Sequence, residues 1–154
     1  ETVNLQTSLV LLKPDAVQRG LVGEIVSRLE ARGLKIVGMK LMQLSRELAL
    51  CHYQEHQGKP FFDGLVGFIT SGPVVAMAVA GESAVELVRR TIGATSPLDS
   101  DAGTIRGDLA VDIGRNLIHG SDSPESAHRE LALFFDEGEL LSYTRDTDTW
   151  ITGA

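Results

Sequence analysis

The stretch PVVAMAVAG, residues 73 to 81, has no charged side chain and is bounded by Ser-Gly on one side and Glu-Ser on the other. A run this short and this apolar reads as a strand with its length inside a core. Two further stretches read as strands. SLVLL ends at Leu12 and is closed by the turn Lys13-Pro14-Asp15, and LKIVGMKLMQL is rich in β-branched and large apolar residues. Between them, Val22, Ile25, Val26 and Leu29 fall at helical spacing over residues 21 to 32, stopped by Gly33. Ser45 caps a helix expected to run to about Gln57, Pro60 opens a short one, and residues 83 to 92 form another with Val85, Val88 and Ile92 inward.

The segment from Gly93 to Arg115 is crowded with Gly, Asp, Ser and Pro, and a loop of that length inside a domain is usually functional. A last strand ends near His119, and Ser123 as N-cap with Pro124 in the first turn starts a last helix. The order is strand, helix, strand, helices, strand, helix, loop, strand, helix. It predicts an α+β fold: a ferredoxin-like split βαβ sandwich with a four-stranded antiparallel sheet and surface helices.

At 154 residues the chain suits a single domain, with a polar C-terminal tail from about residue 136. No apolar run approaches the roughly 18 residues of a membrane span, and no signal peptide is read at the start, so neither membrane association nor secretion is expected. Cys51 is the only cysteine, which excludes an internal disulfide and fits a reducing cytoplasm. A formal charge of −7 argues against general nucleic-acid binding. It leaves room for an anionic small ligand where a few cations converge.

On the last helix Ala127, Leu131 and Phe134 form an inward stripe that takes Glu130 with it. A buried carboxylate requires a partner, and either His119 or an arginine could supply it. Lys13, Arg89, Thr95, Arg106, Asn116 and His119 lie at element ends or in the long loop. Most are cations or hydrogen-bond donors, the groups that grip phosphate. The P-loop pattern and the kinase signatures H-R-D and D-F-G are absent from the sequence. Phosphate chemistry without a P-loop but with an imidazole points to transfer through a phosphohistidine.

The segments NLIHGSDS, TIRGD, KPFF, SGPVVAM and LKPDAVQRG, in that company, resemble the nucleoside diphosphate kinase family over roughly residues 7 to 135. The resemblance implies that His119 takes the γ-phosphate of a nucleoside triphosphate and passes it to a diphosphate, with Mg²⁺ bridging the nucleotide phosphates. It implies that Glu130 hydrogen-bonds the other imidazole nitrogen and that Ser121 hydrogen-bonds Glu130. Lys13, Tyr53, Arg89, Thr95 and Arg106 match phosphate-contacting and catalytic positions, and Asn116 matches a contact to the sugar. Phe61 matches the aromatic on which the base stacks, with Leu65 alongside and Ile113 across from it. Such stacking implies broad base tolerance.

Departures from the family pattern remove no catalytic group. Val79-Ala80 stand where Trp-Glu is common, Asp101-Ala102 replace a frequent Lys-Pro, and Ile113 stands where Val is usual. The resemblance also implies assembly, and a tail of this kind favours a hexamer over a tetramer. The tail carries Tyr143, Trp150 and Ile151, aromatic and apolar groups suited to docking on a neighbouring subunit or folding back on their own domain. Two other functions compete with this one. A catalytically inactive nucleotide-binding module should have lost His119 or Lys13, and a zinc protein would use His52 and His56, spaced i, i+4, but with no third ligand nearby in sequence.

Overall fold

The computed structural model describes residues 5–153. Four strands form one sheet: β1 (Leu5–Leu12), β2 (Lys35–Met42), β3 (Val74–Glu82) and β4 (Ile118–Gly120). Their order is β2-β3-β1-β4, and every neighbouring pair is antiparallel. The ferredoxin-like α+β expectation holds.

The uninterrupted apolar runs of β1 and β3 have a direct cause, since both faces of the sheet are covered. Val10, Leu12, Val75, Met77 and Val79 pack on one face against α2 (Val22–Ala31) and α5 (Ala84–Ile92), through Ile25, Leu29, Val88 and Ile92. Leu9, Leu11, Val74, Ala76 and Ala78 pack on the other against α3 (Arg46–His52), α4 (Phe62–Ile69) and α7 (Pro124–Phe134), through Ala49, Val66, Ile69 and Phe134. At roughly 25 cal/mol per Å² of apolar area removed from water, these two layers are the main source of stability.

Several local expectations need correction. Lys13-Pro14-Asp15 is no turn: Pro14 starts the short helix α1 (Pro14–Gln18), where its missing N–H costs nothing. Ser45 caps α3 by accepting from the Leu48 amide, but the helix ends at His52, and residues Gln54–His56 form a separate 3₁₀ turn. The short helix begins at Phe62, two residues after Pro60. The long loop holds a 3₁₀ turn at Pro97–Asp99 and the helix α6 (Ile105–Leu109).

The tail runs back beside β2. The Leu141 amide donates to the Val37 carbonyl (2.9 Å), the Tyr143 hydroxyl to that of Ile36, and Arg145 to those of Gly33 and Leu34. A final turn of helix, α8 (Asp148–Ile151), sets Ile151 against Gly33. Trp150 does not fold back on its own domain, being 88% exposed.

Candidate active site

The short strand β4 places His119 opposite Leu11 of β1, at the edge of the sheet where the strand gives way to the turn before α7. Ser123 caps α7 by accepting from the Ser126 amide (3.1 Å), which fixes the phase of that helix and turns Glu130 inward. Glu130 is 5% exposed, and its Oε1 accepts from His119 Nε2 at 2.7 Å and from the Ser121 hydroxyl at 3.0 Å. Burial alone would raise the Glu130 carboxyl. The His119 hydrogen bond and charge, the His52 ring and Ser121 together outweigh it and hold the group below its ordinary value. Both candidate partners are present, because Arg129 Nη2 lies 3.9 Å from Glu130 Oε2.

With Nε2 engaged by a carboxylate, the His119 hydrogen sits on Nε2 and the Nδ1 lone pair is free. The imidazole lines a cleft of about 230 Å³ with Lys13, Tyr53, Leu65, Arg89, Thr95, Arg106 and Asn116. Burial, then the charge of Arg106, lowers the Lys13 ammonium to about 8 against the opposing pull of Asp15. Its Nζ donates to Asn116 Oδ1 (2.8 Å), and the Asn116 amide donates to the Thr95 carbonyl (2.9 Å). Burial raises the Tyr53 hydroxyl to about 12, keeping it protonated.

Arg106 is 9% exposed and has no carboxylate partner within salt-bridge distance among the described residues. It donates instead to the carbonyls of Asn116 (3.2 Å), Ile118 (2.5 Å) and Ala94 (3.2 Å), tying the end of the long loop to β4. Burial and the charge of Arg89 push it down to about 10, still charged at neutral pH. An unneutralised buried cation suits an anionic ligand. Arg89, by contrast, is half-exposed and pairs with Asp122 at 2.6 Å.

Two backbone features hold His119 in place. Leu117 is fully buried yet adopts φ of +73°, a conformation costing on the order of 1 kcal/mol or more for a branched residue. Asp15 Oδ2 accepts from the Leu117 amide (3.0 Å), and the Lys13 amide donates to the Leu117 carbonyl (2.9 Å), so the strained turn is pinned from both sides. At Gly120 a Cβ would lie 2.9 Å from Ile92 and 3.0 Å from Val88, so only glycine lets α5 close on the strand beside the histidine.

Phe61 and Ile113 do not line the cleft and are 51% and 60% exposed. The Arg115 guanidinium stacks on Phe68 of α4 at 4.1 Å, which brings the loop that carries Ile113 against that helix. The arrangement gathers the candidate phosphate- and nucleotide-binding residues around His119 except Phe61 and Ile113, with Ser121 and Glu130 standing behind the imidazole. Sequence reasoning missed Asp122, Asp15 and Gly120, all within the quoted motifs but without a spacing that reveals a role. It named His52 only as a zinc candidate paired with His56 and missed its place beside His119, the two rings lying 4.8 Å apart.

A larger hollow of about 770 Å³ adjoins the cleft and shares Arg89 and Asp122 with it. It lacks an imidazole, and acidic Glu86, Asp99 and Asp101 line it, so it is the poorer seat for phosphate.

The family model for nucleoside diphosphate kinase matches residues 6–140. A nucleoside diphosphate kinase of Carboxydothermus hydrogenoformans is 63% identical over 147 residues, covering 96% of this chain and 99% of that protein. One of Herpetosiphon aurantiacus is 60% identical over 148 residues, at 96% and 99% coverage. Among solved structures, a halophilic nucleoside diphosphate kinase of Halobacterium salinarum in complex with CDP superposes with a TM-score of 0.93 at 54% identity, covering 96% of this chain and 98% of that one. With sequence, fold and near-complete coverage in agreement, the chain belongs to the nucleoside diphosphate kinase family.

Proposed function

We propose that this chain transfers the γ-phosphate of a nucleoside triphosphate to a nucleoside diphosphate in two half-reactions, through a phosphohistidine at His119 Nδ1. The observation that carries the reading is the 2.7 Å bond from His119 Nε2 to buried Glu130, which leaves Nδ1 facing a cation-lined cleft. In the first half-reaction Nδ1 attacks the γ-phosphorus, the bond to the bridging oxygen breaks, and the diphosphate leaves. In the second, a diphosphate oxygen attacks phosphohistidine phosphorus and Nδ1 departs with its electron pair. Glu130 keeps the proton on Nε2 and stabilises the cationic ring, with Ser121 fixing the carboxylate. Lys13, Arg89 and Arg106 offset charge on the phosphoryl oxygens, Tyr53 and Thr95 donate hydrogen bonds, and Asn116 holds the sugar. Phe61, Leu65 and Ile113 grip the base.

Among the described residues the only carboxylate lining the cleft is Asp122, already paired with Arg89, so the cleft offers no oxygen cage for a hard cation. That fits a Mg²⁺ carried by the nucleotide itself, which would supply positive charge to offset that of the phosphates. The inactive-module alternative is disfavoured because no catalytic group is lost.

We further infer a single-domain protein acting in the cytoplasm as a homo-hexamer. Leu98 and Val111 of the long loop are 92% and 94% exposed and Trp150 88%, while Met39 and Leu41 lie open on the edge strand β2. Surfaces of this kind suit subunit contacts. Ultracentrifugation of the intact chain and of one cut after Ser142 tests this: a stable monomer refutes the oligomer, and unchanged assembly after the cut refutes the part given to the tail.

The chemistry is tested by incubation with γ-labelled ATP. Label should stay on the protein, leave on addition of a diphosphate, and be absent from His119→Ala, which loses turnover but still binds nucleotide. Substantial activity in that variant, or label mapped to His52, His56 or His128, overturns the assignment.

A further inference from the structure

His52 has no part in the proposed transfer, yet its side chain is placed at the centre of the machinery. It is 5% exposed, and neither ring nitrogen has a hydrogen-bond partner among the described residues. An imidazole buried with both nitrogens unpaired sacrifices the hydrogen bonds it had in water, so an apolar side chain would serve better as filler. The ring stands edge-on to His119 at 4.8 Å and to Phe134 at 5.4 Å, with Tyr53 at 4.7 Å.

We propose that His52, His119 and Glu130 form a binding site for a borderline-soft divalent cation such as Zn²⁺, which holds the enzyme in an inactive state. One ligand atom from each lies within 4.8 Å of the other two. Two imidazoles and one carboxylate are a donor set that zinc accepts, with a fourth position left for water. Zn–N bonds of about 2.05 Å place tetrahedral ligands roughly 3.3 Å apart, so the widest pair must close by on the order of 1.5 Å. The half-buried His119 can supply that by a rotation about its side chain. The ion would take the place of the proton shared between His119 Nε2 and Glu130 Oε1, while Oε2 stays turned to Arg129.

This differs from the pairing of His52 with His56, which the break after α3 rules out as one helical face. It differs also from Mg²⁺ on the nucleotide, since the ligand atoms lie behind the imidazole rather than in the phosphate cleft. The site stands on geometry alone, and only its effect on turnover rests on the phosphohistidine reading. With the ion on Nε2, the Nδ1 lone pair is less nucleophilic and Glu130 no longer compensates the ring's charge.

Equilibrium dialysis of the full chain against Zn²⁺ alone, with no nucleotide present, should give one ion per chain. His52→Phe should weaken binding by more than the roughly 10-fold lost when only an outer-shell partner of a metal ligand is removed. His128→Asn, on the exposed face of α7, should leave it unchanged. Side-chain ¹⁵N spectra of the unaltered chain give a second readout that does not depend on any variant folding: Zn²⁺ should shift the ring nitrogens of His52 and His119 and spare those of His56 and His128. Absence of stoichiometric binding, undiminished binding in a folded His52→Phe, or shifts confined to His56 or His128 would each overturn the site. None of these outcomes depends on the labelling experiment for His119.

Discussion

Raising the pH should strengthen the fold and weaken nucleotide binding at the same time, through Lys13. Its ammonium is lowered from 10.5 to about 8, first by burial and then by Arg106. Between these values the unfolded chain holds a proton that the folded chain has released, so unfolding takes up a proton and stability rises with pH. The shift of 10.5 − 8 = 2.5 corresponds to a folding penalty on the order of 3 kcal/mol at neutral pH, recovered as pH climbs through that window. Binding runs the other way, because a phosphate anion needs the charged form. At pH 9 about one chain in ten keeps the proton, so the apparent Kd for a nucleoside diphosphate should rise about tenfold. Tyr53, at about 12, and Arg106, at about 10, are still protonated in most chains at that pH. Calorimetric titration with a nucleoside diphosphate from pH 7 to 9, with urea unfolding alongside, measures both arms. Lys13→Met should bind weakly at every pH and lose both dependences. A Kd that stays flat to pH 9, or the same slopes in Lys13→Met, would refute the argument that burial beside Arg106 controls this lysine.

Glu130→Ala should lower turnover about 10- to 100-fold, the scale of losing a group that orients a reacting imidazole, with a smaller change in nucleotide affinity; an unchanged rate in the steady-state assay would reduce Glu130 to a core ion pair with Arg129. Purine and pyrimidine nucleotides should turn over at similar rates, because stacking on Phe61 and apolar contact with Leu65 and Ile113 read the flat face of any base. Competition between substrates that shows selectivity near 10⁴, the scale of hydrogen-bonded discrimination, would contradict stacking as the source of recognition.

The relation between sequence and site is uneven in an instructive way. The pairing of His119 with Glu130 was accessible because it depends on one local quantity, the phase of α7, which Ser123 and Pro124 set at its first turn. From that phase a carboxylate on a core-facing stripe follows, and so does its need for a partner. The continuous apolar runs of β1 and β3 were legible for a similar reason, since burial on both faces erases the alternation of a one-sided strand. The end of α3 was not. Neither Gly nor Pro marks it, and the chain leaves the helix at Tyr53, where His52 is already packed against β4 and α7. A tertiary contact ended the helix, and spacing along the sequence could not register it.

Arg106 shows how far that limit reaches into function. In sequence it is one arginine in a loop rich in Gly and Asp, and the resemblance assigns it to phosphate. In the fold its guanidinium first braces the backbone carbonyls of Gly93, Ala94, Asn116 and Ile118, and only what remains of its donor fork can face the cleft. The same side chain therefore braces His119's strand and, in the proposed transfer, presents charge to the phosphate. Lysine could carry the charge but not the fork, since it has one nitrogen to place where arginine has three. Leu117 works in the same manner from the other side: a leucine that should avoid positive φ adopts it because Asp15 and the Lys13 amide hold both its polar groups. The buried guanidinium, the strained turn before His119 and the buried carboxylate behind it are thus supports of one another, and on the proposed reading they set the resting orientation of the imidazole without help from a nucleotide.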